Sequence, residues 1–315
     1  MDLQSTSDDD AIQATNDDAA SCKRCAVQLG YWHDPYLQYF VRASDRKTPE
    51  INRGYYARVQ GIKQLIDQVI QVSNGNCQII NLGAGFDTLY WRLKDEGKSV
   101  KNFIEVDFPT VTSKKCHFIK KSKPLLQGIT YGDISLNVTD LHAANYHIVG
   151  CDMRHLNSIN QKLKDCDIDF SLTTIVIAEC VLVYMDVDHS NNLLHWLADN
   201  FKIAVFINYE QVNMEDRFGQ IMVDNLKKRG CSLAGVKHCK SLESQKQRFL
   251  HTGWQKSDAW LMTEVYHLIP QADLMRMEKI EFLDERELLE QLFQHYCICI
   301  ACNDDKWIGY QYLTF

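Results

Sequence analysis

Short apolar runs alternate along the chain with longer stretches in which apolar residues recur every three or four positions. Each run is typical of a strand and each periodic stretch of an amphipathic helix. The runs lie at 77–82, 103–107, 146–150, 173–185, 203–210, 259–262 and 297–302. This alternation predicts an α/β fold with a seven-stranded, mostly parallel sheet.

The first 75 residues precede the first strand and divide into two parts. Residues 1–20 are rich in Asp, Ser, Thr and Ala, and we predict a disordered acidic tail there. Residues 21–75 predict a helical cap, with an aromatic-rich helical pair that turns at Pro35 and a longer amphipathic helix over 51–72. Because no linker or internal repeat divides the rest, residues 21–315 are interpreted as one domain with its core over 76–315.

Two stretches between strands, 112–145 and 211–250, are longer than a simple connection needs. The second has helical periodicity, and both are expected to serve the substrate side of the fold. The stretch 112–145 is predicted to be irregular. A solvated mobile insertion is therefore favoured there over a basic loop that docks an acidic partner. It contains the lysines Lys114, Lys115, Lys120, Lys121 and Lys123.

The first strand leads directly into Gly83 and Gly85, and a helical pattern follows. This is the strand, turn and helix that open a nucleotide-binding α/β fold. Thr88 stands where a dinucleotide fingerprint needs its third glycine, which disfavours NAD. Asp107 ends the second strand, 24 residues after Gly83. Such a carboxylate can bind the ribose hydroxyls of NAD or of S-adenosylmethionine, and a strand-end Asp without a ligand is the alternative.

Acidic residues also follow later strands. Asp152, after the third strand, is placed either to bind an adenine amino group or to cap the next helix. Glu179 belongs to the most apolar strand and needs a partner there, which a ligand in the crevice would supply. Tyr184, five residues on, reaches towards the same crevice. In the cap, Lys23 and Arg58 are candidates whose alternative is an ordinary solvated charge.

Charge and hydropathy exclude several classes of protein. The net charge of −7 argues against a nucleic-acid binder. The chain does not open with a signal-peptide pattern, and its longest apolar run contains Glu179 and is too short to span a bilayer. We therefore expect a soluble cytoplasmic protein without membrane or nucleic-acid partners.

The 12 cysteines do not suggest a metal site. Cys22 and Cys25 form a Cys-x-x-Cys pair, but no second pair stands nearby to complete a zinc site. Cys297 and Cys299 would share one face of a strand while Cys302 points away. We expect reduced thiols and no bound metal.

Six motifs together resemble the leucine carboxyl methyltransferase family. They are residues 30–35, 52–55, 81–88, 105–109, 177–185 and 206–211. The resemblance runs from Cys22 over nearly the whole chain and implies a Rossmann-like class I methyltransferase fold that uses S-adenosylmethionine. Many methyltransferases carry an acid two residues before the first glycine, and this family permits the Asn81 found here.

The resemblance also implies a set of cofactor ligands. Lys23, Arg58 and the backbone of Gly83 would hold the methionine carboxylate end, and Glu179 the methionine amino group. Asp107 would bind the ribose, and Asp152 and Met153 the adenine.

The substrate implied by the resemblance is the C-terminal leucine of the catalytic subunit of protein phosphatase 2A. Its α-carboxylate would become a methyl ester, which regulates phosphatase holoenzyme assembly, and S-adenosylhomocysteine would be released. A terminal carboxyl group has a pKa near about 3.5, so the nucleophile is already ionised and needs no general base. Arg58 is the candidate cation for both carboxylates and Tyr184 the donor that aims the attacking oxygen. A monomer is expected.

Three alternatives remain at this point. A related enzyme methylates a carboxyl group on a modified tRNA base, but it resembles this chain fused to a β-propeller extension. A second alternative is a non-catalytic module that only binds the phosphatase, against which the intact Gly83, Asp107, Glu179 and Arg58 speak. A NAD-dependent oxidoreductase is the third.

Overall fold

The computed structural model describes residues 3–43, 45–129 and 134–315, with side chains from residue 8 onward. Its strands are β1 (Cys77–Leu82), β2 (Asn102–Asp107), β3 (Ile134–Leu136), β4 (Leu141–Ala143), β5 (Tyr146–Gly150), β6 (Thr173–Glu179), β7 (Ala204–Gln211), β8 (Lys256–Leu261) and β9 (Tyr296–Cys302). The helices before β6 are α1 (Leu3–Leu29), α2 (Pro49–Val72), α3 (Leu89–Asp95), α4 (Pro109–Lys121), α5 (Lys123–Ile129) and α6 (Leu156–Lys164). Those after it are α7 (Val187–Asn200), α8 (Arg217–Lys228), α9 (Leu242–Leu250), α10 (Met262–His267), α11 (Gln271–Ile280) and α12 (Arg286–Phe293).

These strands form one sheet in the order β3-β4-β5-β2-β1-β6-β7-β9-β8. The five strands from β5 to β7 are parallel, and β9 and β8 follow with antiparallel pairing. Every residue of β1, β2, β5 and β7 is buried, as expected for parallel strands that helices cover on both faces. Strands are present at all seven predicted places and the class I fold is confirmed, but the described residues form a sheet of nine strands instead of seven. The strand predicted over 173–185 ends at Glu179. The carboxyl ends of the parallel strands meet at one edge, where the site lies.

The segment predicted to be irregular between β2 and β5 is largely regular, so that prediction was wrong. It forms α4 and α5, and then a hairpin in which β3 and β4 extend the sheet beyond β5. These two strands have three residues each, too few for a recognisable alternation. Lys115 is also not solvated: it is 1% exposed and forms an ion pair with Glu105 of β2. The other four lysines of the segment are exposed.

The predicted disordered tail differs from the structure as well, because residues 3–20 form the first two thirds of α1. Its polar side chains find partners on the core instead of burying apolar surface. Asp9 binds Arg154, with oxygen-to-nitrogen distances of 2.8 and 3.1 Å. Asn16 Oδ1 accepts a hydrogen bond of 2.9 Å from the backbone N–H of Phe86. Composition shows only that the segment is polar, not that the core offers it partners.

Helices α1 and α2 precede the sheet and pack on each other. The helix predicted after Pro35 is only a short 3₁₀ turn, Leu37–Tyr39, so that part of the predicted cap was wrong. Helix α2 begins at Pro49, two residues before the predicted start, and buries Ile62, Leu65, Ile66 and Val69 along one face. This spacing places one apolar stripe against the sheet, so α2 is fixed above the ends of the central strands. None of the described helices combines the length and apolar character needed to cross a membrane.

Candidate active site

A cavity of about 580 Å³ opens at the carboxyl ends of β1, β2, β5 and β6, beneath α1 and α2. All eight residues predicted for the site line it. They are Lys23, Arg58, Gly83, Asp107, Asp152, Met153, Glu179 and Tyr184. Parallel strands present their carboxyl ends along one edge, so residues far apart in the chain meet there. The position of each residue is therefore established, while its role stays a prediction.

The turn after β1 requires its glycines. Gly83 and Gly85 have φ angles of +61° and +50°, a region that residues with a Cβ rarely adopt. A Cβ atom on Gly83 would also lie 2.5 Å from Cγ2 of Val181. The N–H of Gly83 donates to the carbonyl of Val106 at 2.8 Å, which fixes the turn to the end of β2. A ligand can therefore approach the backbone closely at this point.

Asp107 is fixed in the direction of the cavity by two backbone hydrogen bonds. Its Oδ2 accepts from the N–H of Gly85 and its Oδ1 from the N–H of Phe108, each at 2.7 Å. Burial raises the pKa of Asp107, and the two hydrogen bonds lower it by less. Because each carboxylate oxygen has two lone pairs, both oxygens keep capacity for a further donor. The pair of hydroxyls on a ribose fits this capacity.

Glu179, at the end of β6, faces two cations from the cap. Arg58 Nε lies 2.5 Å and Lys23 Nζ 3.4 Å from its Oε2. Burial alone would raise the pKa of Glu179, but the charges of Lys23 and Arg58 lower it overall. All three side chains are at most 15% exposed. One carboxylate beside two cations is complementary to the ammonium and carboxylate groups of a free amino acid.

Asp87, which the sequence analysis did not single out, is a fourth charge in this cluster. Burial would raise its pKa, but Lys23, Arg92 and Lys115 together lower the pKa to about 2. Asn81 Nδ2 donates to Asp87 Oδ2 at 3.0 Å. Asn81, which stands where many methyltransferases carry an acid, therefore holds an acid six residues further on. Asp87 could have been identified from the sequence, because it lies inside the glycine motif at 81–88.

Asp152 is bound by Arg154, a second residue that the sequence analysis missed. Arg154 Nε lies 2.9 and 3.0 Å from the two carboxylate oxygens, and the same guanidinium binds Asp9 of α1. Helix α6 begins at Leu156 with His155 at the N-cap position, so the capping alternative for Asp152 was wrong. Asp152 keeps 23% of its side chain exposed, and Met153 beside it is buried. Met153 suits the flat apolar face of an aromatic ring, and Asp152 suits a polar group on the edge of that ring.

The guanidinium of Arg58 lies between aromatic rings. Its central carbon is 4.5 Å from the ring centre of Tyr209 and 5.6 Å from that of Tyr55. The ring of Tyr296 stacks on Tyr209 at 5.3 Å. Burial raises the pKa of all three tyrosines, so their hydroxyls stay protonated and uncharged beside Arg58. Tyr55 and Tyr209 both stand in the quoted motifs, which could have drawn attention to them.

Tyr184 ends a short 3₁₀ helix, Leu182–Tyr184, that follows the strand end. Cys180 lies between the end of β6 and this 3₁₀ helix. Its left-handed backbone, with a φ of +56°, redirects the chain towards the cavity. Burial raises the pKa of Tyr184 well above its usual value, so the hydroxyl remains a hydrogen-bond donor. The 3₁₀ helix is itself anchored, because the N–H of Val183 donates to Glu210 at 2.7 Å. Glu210 in turn forms a fully buried ion pair with Arg248.

Comparison with known proteins decides the family. The sequence profile described as leucine carboxyl methyltransferase matches residues 11–198 of the chain. The chain belongs to the leucine carboxyl methyltransferase family. The family resemblance seen in the motifs is thereby confirmed, and the chain is an S-adenosylmethionine-dependent methyltransferase of carboxyl groups.

Relatives with this name span the chain almost completely. Leucine carboxyl methyltransferase 1 of Bos taurus is 50% identical over 313 residues, covering 98% of this chain and 94% of the relative. The protein of the same name in Caenorhabditis elegans is 41% identical over 308 residues, covering 94% and 92%. The human tRNA wybutosine-synthesizing protein 4 is 34% identical over 304 residues, covering 94% of this chain but 44% of the relative.

The fold is found in solved structures as well. A structure from Thermobifida fusca, assigned as a methyltransferase, superimposes with a TM-score of 0.51 at 13% sequence identity. The match covers 84% of this chain and 91% of the other. At this identity the likeness shows the fold alone.

The chemistry of the residues that line the cavity is compatible with S-adenosylmethionine. The cluster of Glu179, Lys23 and Arg58 suits the methionine portion, and Asp107 suits the ribose. The buried Met153 beside Asp152 suits the adenine. The left-handed glycine turn, which lies between these groups, leaves the backbone open to close approach.

Proposed function

We propose that the protein methylates the α-carboxylate of the C-terminal leucine of the catalytic subunit of protein phosphatase 2A. The products are the leucine methyl ester and S-adenosylhomocysteine, and the ester regulates assembly of the phosphatase holoenzyme. We further propose that the protein works in the cytoplasm as a monomer and that methyl transfer requires no metal.

The observation that supports this proposal most is the cluster in which one carboxylate, Glu179, lies against two cations, Lys23 and Arg58. S-adenosylmethionine, when bound, supplies an electrophilic methyl group on a sulfonium centre. Glu179 would bind its ammonium group, and Lys23 its carboxylate. Asp107 would then hold the ribose through the lone pairs that its backbone hydrogen bonds leave free.

On the substrate side, the residues act mainly by orientation and charge compensation. The leucine carboxylate arrives ionised at neutral pH, so no side chain has to remove a proton. Desolvating that anion in a buried cavity requires a cation, and Arg58 is 11% exposed and is supported by Tyr209. Tyr184, kept neutral by burial, would donate to the carboxylate and aim its free oxygen. Holding the carboxylate in line with the methyl group then accounts for most of the rate of methyl transfer.

The tRNA alternative receives less support from the same observations. The tRNA relative is less similar, and this chain spans 44% of its length. The chain also carries a net charge of −7, whereas binding to a phosphate backbone favours cationic surfaces.

The test is methyl transfer from radiolabelled S-adenosylmethionine to the purified phosphatase catalytic subunit. We expect label on the intact subunit, released as methanol by alkali, and none on a subunit that lacks its last leucine. Glu179→Gln should abolish labelling, whereas Glu287→Gln, at an exposed position on α12, should not. Labelling of a tRNA precursor in place of the subunit would contradict the proposal.

A further inference from the structure

Two histidines face each other at the far edge of the sheet, outside the active site. His142 of β4 and His147 of β5 are direct partners in the antiparallel register, and Ala144 and Asn145 form part of the turn between the strands. Their Nδ1 atoms lie 3.0 Å apart. Residues opposite each other in such a pair project to the same side of the sheet, so the register itself brings the two imidazoles together.

Cys166 completes a cluster with these histidines. It follows the C-terminal end of α6, and its Sγ lies 3.8 Å from Nδ1 of His142. The three potential ligand atoms all lie within 4.8 Å of one another. Cys166 is fully buried, and its carbonyl accepts a hydrogen bond of 2.7 Å from Asn102 Nδ2 of β2. The backbone of Cys166 is thus anchored to the neighbouring strand.

These separations match those around a tetrahedral metal ion. Zinc bonds of about 2.1 Å to nitrogen and 2.3 Å to sulfur place neighbouring ligand atoms about 3.4–3.6 Å apart. The observed 3.0 and 3.8 Å lie on either side of that range, and the third separation, between His147 and Cys166, is at most 4.8 Å. We propose that His142, His147 and Cys166 bind one zinc ion, with water in the fourth position.

The chemistry of the cluster favours such an ion. Without one, a buried thiol and two imidazoles have to satisfy each other, and His147 is 6% exposed. Binding forms two N–Zn bonds and one S–Zn bond, and the thiol proton passes to solvent. Soft thiolate and imidazole ligands suit zinc better than magnesium or calcium, which prefer oxygen.

An ion at this position would have access and a structural effect. A cavity of about 360 Å³, lined in part by His147 and Asp167, lies beside the cluster. The ion would tie the β4–β5 hairpin to the end of α6 and so stabilise the edge of the sheet. None of the three ligand residues lines the active-site cavity, and His147 lies near the amino end of β5, whereas the active site lies beyond its carboxyl end. The ion therefore takes no part in methyl transfer.

The test is a titration of the metal-free full-length protein with Co²⁺, a spectroscopic substitute for zinc, followed by competition with Zn²⁺. We expect one equivalent to bind with the visible bands of a tetrahedral site and a near-ultraviolet thiolate band. Cys166→Ser should remove the thiolate band. His142→Gln should weaken binding at least about 100-fold, since even outer residues of such sites cost 10–100-fold. Cys302→Ala, at a buried cysteine on β9, is the matched control and should bind as the wild type does.

Three results would overturn the proposal. They are the absence of saturable binding in the wild type, a thiolate band that survives in Cys166→Ser, and equal affinity in His142→Gln. If Cys166→Ser does not fold, the affinity of His142→Gln decides alone. Methyl transfer by His142→Gln should remain within about twofold of the wild type, because the cluster lies outside the active site.

Discussion

Arg58 Nε lies 2.5 Å from Glu179 Oε2, and this contact joins the cap to the central strand of the sheet. The same guanidinium stacks against Tyr209, so its orientation is set by a ring as well as by a charge. Nε donates to this carboxylate and Nη2 to the backbone carbonyl of Glu179 at 3.4 Å, so Nη1 and one N–H of Nη2 remain to serve a second anion.

The first prediction separates binding from chemistry at Arg58. Lysine keeps the charge but loses the planar group that stacks and binds in two directions. We expect Arg58→Lys to lower the single-turnover rate of phosphatase methylation at saturating cofactor at least 100-fold. A rate within about threefold of the wild type corresponds to less than 0.7 kcal/mol and would confine Arg58 to cofactor binding. Arg286→Lys, at an exposed position that begins α12, serves as the control.

The second prediction concerns the choice of cofactor. S-adenosylmethionine should bind with a micromolar dissociation constant, roughly −8 kcal/mol, and NAD should not bind. Asp107→Ala should weaken binding of S-adenosylmethionine by about 1–3 kcal/mol, because charge-assisted hydrogen bonds to the ribose are lost. Calorimetric titration with S-adenosylmethionine and with NAD measures this directly. Unchanged affinity in the variant would remove Asp107 from the ribose site.

The third prediction is a dependence of stability on pH that arises at Asp87. Its pKa is about 2 in the folded protein and near 3.9 in an unfolded chain, so the unfolded state binds more protons between these values. The stabilisation is therefore fully present above about pH 5 and is lost as the pH falls towards 2. Asp87→Asn should lower the free energy of unfolding by about 2–3 kcal/mol at pH 7 and by much less at pH 2.5.

Urea unfolding of the ligand-free protein at the two pH values measures this difference. Asp305→Asn, at an exposed position near the C-terminus, controls for the loss of one negative charge. An equal destabilisation of Asp87→Asn at both pH values would show that packing, and not charge, accounts for the effect.

The fourth prediction concerns substrate scope. Helix α8, in the long connection between β7 and β8, lines the mouth of the cavity with Phe218, Ile221 and Met222, and Ile221 is 51% exposed. We expect this surface to contact the folded phosphatase, so a free peptide with the same terminal leucine should be a poor substrate. Comparing kcat/KM for peptide and intact subunit tests this. Equal values would show that the terminal residues alone are recognised.

The strand ends of the site could be predicted from sequence because they rest on strong local patterns. Gly83 and Gly85 mark a turn that only glycine tolerates, and Glu179 is conspicuous as a charge in a run of β-branched residues. Parallel pairing then brings these ends together, whatever their distance along the chain. Both features depend on neighbouring residues only, which is why sequence reasoning found them.

The remaining parts depend on contacts between distant segments, which no local pattern encodes. Lys115 has the local sequence of a solvated lysine, like the other four in its segment, but the structure buries it against Glu105. The pairing of His142 with His147 requires the register of a hairpin whose strand β4 has only three residues. The polar start of α1 packs on the core through partners on distant segments, among them Arg154 and the glycine turn.

The spacing of those partners along α1 constrains how this helix can change in evolution. Asp9, Asn16 and Lys23 are seven residues apart, nearly two helical turns, and contact Arg154, Phe86 and Glu179 in that order. From Asp9 to Lys23 the helix rises about 21 Å, so its backbone fixes the spacing of these three contacts. Substitutions on its outer face leave this register intact. Insertion or deletion of one residue between Asn16 and Lys23 rotates one contact by about 100° relative to the others, so single-residue length changes should be excluded there.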